Sequence, residues 1–328
     1  ETTMKLTRRL LTATLASVLC APAAFAQADY PSKPIRIVVP YAAGGGSDAV
    51  ARVVAKAMTT YLGQSVLVDN KPGSGTVIGA SEVARAAPDG YTLLWGDNTT
   101  FALNPFLYKK LAYAPLEDFA PISLTLRGAL VLVVSPSLGV NSLPELLAYV
   151  KARPGKLQYG SAGNGTPHHL AMEALKLKAG LDILHVPYKG EGPGLNDVLA
   201  GQTQLMFVGT TIAKQHAETG RIKPLAMAGS TRNAMLPNTP TVAEGGVPGF
   251  DSSYWHALVA PAKTPDAAIQ KLNEAYAKAS RDPEVLNFLA KAGGNTLVAT
   301  TPQETRAHFQ EQARIGGELI KAINLTMD

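Results

Sequence analysis

The hydrophobic positions of this chain alternate between short β-rich runs and longer stretches with helical spacing. Buried strands are predicted at 35–39, 66–68, 92–95, 157–159, 183–186, 205–208 and 222–227. Amphipathic helices are predicted at 48–62, 76–87, 143–153, 166–179, 193–200 and 212–219. Strands separated by helices of this length are typical of parallel sheets that are covered on both faces. The pattern therefore predicts an α/β fold.

Two longer β-rich runs break this rhythm. One covers 122–134 and is interrupted at Gly128, and the other covers 253–260 after a loop rich in proline and glycine. A chain needs such strands to leave one compact α/β block and to return to it later. The C-terminal part is helical, with helices at 265–281, 283–292 and 302–323 that each begin at a proline. We therefore expect two lobes, each with a parallel-rich sheet, joined by a two-strand hinge: residues 27–125 and 252–328 form lobe 1, and 126–251 form lobe 2.

The N-terminal stretch has the pattern of an export signal. Lys5, Arg8 and Arg9 form a basic region, an apolar run covers 10–19, and the small residues Ala24 and Ala26 follow. The apolar run is shorter than the ~20 residues that a membrane-spanning helix needs. We therefore expect a signal peptide over 4–26 that is cleaved near Ala26, and a mature protein in the periplasm.

Composition and charge exclude several classes of site and partner. Of the 328 residues 46% are hydrophobic, which is ordinary for a globular protein. Cys20, the only cysteine, lies within the signal, so disulfides, thiolate metal sites and cysteine nucleophiles are excluded from the mature chain. Loss of the signal lowers the formal net charge from +5 to about +3, and the cations are scattered. Without a basic stripe nucleic-acid binding is not expected, whereas an anionic solute suits this charge.

The strongest candidate for a binding site is the glycine-rich turn at 40–48, between the first strand and the first helix. Three successive glycines let the backbone turn its N–H groups toward one point, and Ser47 or Asp48 is expected to cap the helix that follows. Such a turn can bind an anion, or it can be no more than a tight connection. Its spacing matches neither a P-loop nor a dinucleotide fingerprint. The candidate ligand-binding residues here are Tyr41, Ala43, Gly44, Gly45, Ser47 and Asp48.

A second turn of the same kind lies at 161–169, after a strand of the second block. Thr166 is expected to cap its helix, with a proline at the first helical position. His168 is a candidate hydrogen-bond donor to a solute. Neighbouring histidines on a helix point about a hundred degrees apart, so we expect no metal site. Two such turns facing each other would suit a solute with two acidic groups. The candidates in this turn are Ser161, Asn164, Gly165, Thr166 and His168.

Two further strand ends add candidates. Tyr188 could line a pocket and Lys189 could hold a carboxylate, with Gly190 beside them, or the two side chains could be a packed tyrosine and a surface lysine. Thr210 lies at the end of a fourth strand, where it adds a polar side chain to the same edge. Tyr254 and Trp255 on the returning strand could form an apolar wall or belong to the core.

No catalytic constellation appears in the sequence. The α/β hydrolases place their nucleophile in Gly-x-Ser-x-Gly after a strand, and the Gly160-Ser161-Ala162-Gly163 run is one residue short of it. Paired carboxylates at strand ends are missing as well.

At these motifs the chain resembles the Bug family, the extracytoplasmic solute receptors of tripartite tricarboxylate transporters. The resemblance covers essentially the whole mature chain and rests on four matches, at 40–48, 161–173, 186–190 and 255–265. The resemblance implies a type II periplasmic binding protein fold, with ligand capture by the glycine-rich turn of lobe 1, partly through ordered water. The family commonly shows Trp-x-Gly on the returning strand, where this chain has Trp255-His256-Ala257, so added bulk is expected beside the cleft.

We therefore expect a monomeric periplasmic receptor without a cofactor or metal, and not an enzyme. It would capture a small carboxylate, a dicarboxylate or a related organic acid, and deliver it to the membrane permease subunits of a tripartite tricarboxylate transporter. The alternatives are an α/β hydrolase or transferase acting on the same solutes, and a sensor that presents the solute to a signalling partner.

Overall fold

The computed structural model of the chain describes residues 30–292, 295–323 and 325–327, so the predicted signal peptide lies outside the described residues. Its strands are β1 (Ile35–Val39), β2 (Val66–Asn70), β3 (Thr92–Asp97), β4 (Phe119–Val134), β5 (Gln158–Ser161), β6 (Leu184–Pro187), β7 (Leu205–Gly209), β8 (Lys223–Met227), β9 (Ser253–Pro261) and β10 (Asn295–Leu297). Its helices are α1 (Gly46–Leu62), α2 (Val77–Ala84), α3 (Asn104–Leu107), α4 (Leu143–Lys151), α5 (Pro167–Ala179), α6 (Glu191–Leu199), α7 (Thr210–Glu218), α8 (Asp266–Ala279), α9 (Pro283–Ala292) and α10 (Pro302–Ile323).

The strands form one mixed sheet in the order β2-β1-β3-β9-β4-β7-β5-β6. Strands β2, β1 and β3 are parallel to one another, as are β7, β5 and β6. The antiparallel strands β9 and β4 lie between these two parallel groups. Parallel strands with crossover helices follow from the alternating pattern of the sequence, and the α/β class is confirmed.

Strand β4 belongs to both halves of the sheet. Its first part pairs with β9 and β10, and its second part pairs with β7 and β8. The predicted interruption at Gly128 is wrong, because the strand runs on through this residue, which pairs with Tyr254 on one side and with β10 on the other. The boundaries of the two lobes stay a prediction.

The core lies on both faces of the sheet. Along β9 the side chains of Tyr254 and Leu258 join the larger apolar cluster, whereas those of Trp255 and Val259 join a second cluster on the other face. In that second cluster Phe101 stacks on Phe309 with ring centroids 4.4 Å apart. Among the described residues no helix is both long and apolar enough to cross a membrane.

Candidate functional site

Four helices begin around one cavity at the carboxyl ends of the parallel strands. These are α1 after β1, α5 after β5, α6 after β6 and α7 after β7. The cavity measures about 40 Å³ and is lined by Tyr41, Ala42, Gly45, Gly46, Ser47, Asp48, Asp97, Leu130, Ala162, Pro167, His168, Glu191, Gly209, Thr211, Tyr254 and His256. Helix N-termini carry a partial positive charge and unpaired N–H groups, so their convergence favours an anion.

The turn at 40–48 is closed by an aspartate inside the helix. Helix α1 begins at Gly46, so the predicted capping by Ser47 or Asp48 is wrong, since both residues lie in the first turn. Asp48 instead accepts a hydrogen bond from the N–H of Gly44 (3.0 Å), which has a φ of +90°. Arg52 and Asn70 also donate to the Asp48 carboxylate, at 3.0 and 2.9 Å. Burial acts to raise the pKa of Asp48, but these three hydrogen bonds outweigh it and lower the pKa.

Two residues after the end of β1, the same turn contains the buried Tyr41. The Tyr41 hydroxyl donates to the carboxylate of Asp97, which also accepts from the N–H of Thr100 at 3.2 Å. Burial and the neighbouring Asp97 charge raise the pKa of Tyr41 well above its ordinary value, so the hydroxyl stays protonated. Tyr41 and Asp97 therefore form a fixed polar wall of the cavity.

The turn at 161–169 separates its two histidines. His168 lines the cavity, whereas His169 accepts from the N–H of Gly165 (3.0 Å) and stacks on His185 at 4.0 Å. The proline at 167 lies in the first turn of α5 as predicted. The predicted cap is wrong in its chemistry: the Thr166 side chain accepts no hydrogen bond from the helix, and its hydroxyl donates to the Gly163 carbonyl (2.7 Å).

Ser161 has a histidine partner but no access to solvent. Its Oγ lies 2.7 Å from Nε2 of His185, and it is fully buried outside the cavity. A second bond from the N–H of Gly163 fixes the hydroxyl in the turn (3.1 Å). This pair resembles part of a hydrolase site, but a nucleophile must reach its substrate, and this hydroxyl is enclosed.

The turn after β6 contributes a carboxylate to the lining of the cavity. Glu191, the first residue of α6, is only 7% exposed and accepts from the N–H of Gly46 (3.1 Å) and from the N–H of Gly209. His168 Nε2 lies 3.8 Å from it. Burial acts to raise the pKa of Glu191, but His168 and the two N–H groups outweigh it, so the pKa is lowered. A further bond joins the same two turns, from the Ala42 N–H to the Lys189 carbonyl (3.2 Å).

Strand β9 contributes His256 and Tyr254 to the cavity. Because side chains alternate along a strand, Trp255 points to the other face, where it stacks on Phe309 with centroids 5.4 Å apart. Two roles were predicted for these residues. Tyr254 lies in the wall of the cavity, and Trp255 belongs to the core. The bulk that was expected beside the cleft from Ala257, in place of the family's glycine, is not found there, because Ala257 packs into the cluster on the far face. Burial lowers the pKa of His256 to about 4, so this imidazole is neutral at pH 7.

Of the predicted ligand-binding residues, five line the central cavity: Tyr41, Gly45, Ser47, Asp48 and His168. Asn164, Tyr188 and Lys189 line a neighbouring cavity of about 330 Å³, where the Lys189 side chain is exposed. Ala43 and Gly44 border another, of about 360 Å³. Ser161, Gly165, Thr166, Gly190 and Thr210 border none of these three cavities. The Thr210 hydroxyl donates to the Ala129 carbonyl at 2.9 Å and so ties α7 to β4.

Sequence reasoning missed Glu191, Asp97 and the lining role of His256. A usable signal existed for Glu191, because it follows a glycine directly after a strand, in a turn similar to the first two. For His256 the signal was the alternation of β9, which places it on the face of Tyr254. Asp97 is the last residue of a buried strand, as Gly209 is. Nothing else in the sequence indicated that Asp97 belongs to the site.

Comparison with known proteins agrees with this architecture. The family described as tripartite tricarboxylate transporter family receptor matches residues 50–325. Protein BugT of Bordetella pertussis is 36% identical over 311 residues, covering 94% of this chain and 95% of BugT. The solved periplasmic binding protein BugD is 34% identical with a TM-score of 0.88, covering 91% of this chain and 100% of BugD.

Two further solved relatives have bound solutes. A Rhodopseudomonas palustris protein solved with adipate is 32% identical to this chain and superposes with a TM-score of 0.87. The match covers 91% of this chain and 100% of the other protein's chain. MatC from the same organism, solved with bound malate, is 31% identical to this chain and superposes with a TM-score of 0.85. The match covers 89% of this chain and 100% of the MatC chain. The fold, the position of the cavity and these matches lead to one conclusion: the chain belongs to the tripartite tricarboxylate transporter receptor family, the Bug-type periplasmic solute-binding proteins.

Proposed function

We propose that this protein binds a small organic carboxylate in the central cavity and delivers it to the permease subunits of a tripartite tricarboxylate transporter. The observation that supports the proposal is the convergence of four helix N-termini on one cavity. Each N-terminus offers first-turn N–H groups to an anion. Adipate and malate in the two solved relatives are small carboxylates of the kind proposed.

The proposal includes movement of the two predicted lobes. Among the described strands of the ordered sheet, only β4 and β9 lie between the two parallel groups. A change of backbone conformation at a few of their residues would therefore separate the turns around the cavity. Solute would enter the parted form, and the turns would close around it. The permease would then recognise the closed, loaded receptor.

Binding to a panel of acids and matched neutral compounds tests this function. Thermal unfolding and calorimetry with malate, adipate and their diamides should show stabilisation by the acids only. A solute at a hundred times its Kd adds about 2.7 kcal/mol to stability. Equal stabilisation by a diamide and its acid would contradict the proposal.

The same samples separate a receptor from an enzyme. We expect proton NMR of each solute to stay unchanged after long incubation with the protein, because the Ser161 hydroxyl is enclosed. Conversion of any bound acid would favour the hydrolase or transferase alternative. Uptake of labelled solute by vesicles that contain the permease should require the receptor, which a role in signalling alone would not predict.

A further inference from the structure

The side chains around the central cavity carry an excess of negative charge. Asp48, Asp97 and Glu191 line it together with two histidines, and no lysine or arginine is among the described residues that do so. Carboxylates that lack a cationic partner repel each other. A solute that brought only carboxylates would add to this charge.

We infer that the solute bears an ammonium group beside its carboxylate, as a 2-amino acid does, and that Glu191 binds this ammonium. The inference rests on the proposed function, since it places the solute in the same cavity. It makes Glu191 the residue that distinguishes amino acids from simple organic acids.

Glu191 is a buried carboxylate whose hydrogen-bonding capacity is only partly used. One oxygen accepts from the N–H of Gly46 and the other from the N–H of Gly209. A carboxylate has about four acceptor positions, so each oxygen can take another donor. The nearest cationic candidate is the imidazole of His168, at 3.8 Å, which is beyond hydrogen-bond length. An ammonium group supplies three donors and a full positive charge.

Asp97 also makes the cavity lining negative, whereas the charge of Asp48 is compensated. Asp97 accepts from the Tyr41 hydroxyl and the Thr100 N–H, which are neutral donors, and it forms no ion pair with the described residues. Asp48 is compensated by Arg52, whose Nε lies 3.0 Å away. Among the described residues Asp97 therefore has no cationic partner and Glu191 has only His168, at 3.8 Å, while His256 remains neutral at pH 7.

The first turn of α1 can hold the carboxylate of the same solute. Its N–H groups have no partner within the helix, and Glu191 takes that of Gly46, which leaves those of Ser47 and Asp48 for a solute. The Ser47 hydroxyl is buried and has no hydrogen-bond partner among the described residues. Because Glu191 lies 3.1 Å from the Gly46 nitrogen, the two ends of the site are adjacent. Adjacent anion and cation positions match an ammonium and a carboxylate that share one carbon.

Two pairs of solutes test the inference on the wild-type protein. Malate and aspartate differ by a hydroxyl in place of an ammonium, and adipate and 2-aminoadipate differ by the ammonium alone. Calorimetry should show the amino acid binding about tenfold tighter or more in at least one pair, since a charge-assisted bond is lost in its partner. Equal or tighter binding of the acid without the ammonium would overturn the inference and leave the proposed function standing. Failure of all four to bind would overturn the proposed function as well.

The variant Glu191→Gln then assigns the preference to one residue. We expect it to bind the amino acid about tenfold more weakly, with the acid unchanged or tighter. Glu173→Gln is the matched control, because Glu173 accepts from Tyr159 at 2.6 Å outside the cavity, and it should keep the preference. If Glu191→Gln binds the acid more tightly and the amino acid equally well, Glu191 competes with the solute's carboxylate, and the inference is wrong. Should this variant not fold, the wild-type comparison alone decides.

Discussion

Gly190 allows the turn after β6 to approach the turn at 40–48 closely. Gly190 has a φ of +145° and a ψ of 170°, a conformation essentially restricted to glycine. A Cβ at this position would lie 3.1 Å from the Cβ of Ala42, on the opposite turn. The N–H of Ala42 donates to the carbonyl of the preceding Lys189. Any side chain at residue 190 would therefore strain the backbone and press the two turns apart.

The variant Gly190→Ala should weaken both stability and solute binding. We expect a loss of roughly 1–3 kcal/mol in the free energy of unfolding from backbone strain, with a lower solute affinity because the turns cannot close fully. Gly180→Ala is the matched control, since Gly180 also has a positive φ (+63°) but has nothing within 4 Å of its Cβ position. It should lose about 1 kcal/mol of stability and keep its affinity. Calorimetry with the best-binding acid checks this, and equal affinity losses in both variants would contradict it.

Buried histidines should make the protein less stable at mildly acidic pH. Burial, followed by the charge of Lys176, lowers the pKa of His169 to about 4, and burial followed by His169 lowers that of His185 to about 3. In the unfolded chain both titrate near 6.5. Below that pH the unfolded state binds protons that the folded state does not, so stability falls as pH decreases. The loss should be roughly 1–2 kcal/mol per histidine between pH 7 and pH 5.

Urea unfolding at pH 7 and pH 5 measures this effect. His185→Gln removes one titrating group and should flatten the pH dependence by about one proton. The lowered pKa values of Asp48 and Glu191 act at lower pH, because their stabilisation is lost only as pH falls below about 4.5. Unchanged stability from pH 7 to pH 5 would contradict the role of the histidines.

At the scale of elements, most strands, helices and glycine-rich turns could be predicted, because their patterns are local, but strand β10 and the short helix α3 were missed. The helices that begin at 283 and 302 agree with the structure to the residue. Contacts between distant turns could not be predicted, and the approach of Glu191 to Gly46 spans 145 residues of sequence. The π-helical turn Thr99–Leu103 was missed for a related reason, since its residues are buried by tertiary packing and show no helical period.

One helix fixes the chain segment that follows β10. Tyr276 of α8 donates its hydroxyl to the Thr125 carbonyl of β4 at 2.6 Å, and the Val298 carbonyl lies 2.9 Å away. Asn273, one turn earlier, donates to the carbonyls of Ile122 (2.7 Å) and Thr300 (2.8 Å). Helix α8 therefore joins β4 to the segment 298–300 by side-chain hydrogen bonds.

We expect Tyr276→Phe to lower the free energy of unfolding by about 1–1.5 kcal/mol. The phenyl ring still fills the core, so the loss reports the buried hydrogen bond. Tyr61→Phe is the control, because the Tyr61 hydroxyl donates to Asp282 on the exposed surface, and it should change stability by less than about 0.5 kcal/mol. Chemical denaturation of both variants gives the comparison, and similar values for the two would contradict it.

For the whole molecule, the contacts between the turns around the central cavity bear on how a solute can enter. Two hydrogen bonds join these turns, Ala42 to Lys189 and Gly46 to Glu191. We call the form in which both bonds are made the closed form. Because separation of the turns would widen the cavity, we expect a solute to enter a form in which they are apart.

Solute should accordingly shift the population of whole-molecule shapes. Without solute, two interturn hydrogen bonds of about 0.5–1.5 kcal/mol each hold the closed form only weakly, so open molecules contribute to the average. A bound solute adds contacts to both turns that exist only when they are near each other, which favours closure. We expect small-angle scattering to give a smaller radius of gyration at saturating solute, and Gly190→Ala to show a larger radius than Gly180→Ala without solute. Calorimetry must first show that the solute binds. Identical scattering curves with and without that solute would then show that the cavity is filled without separation of the turns.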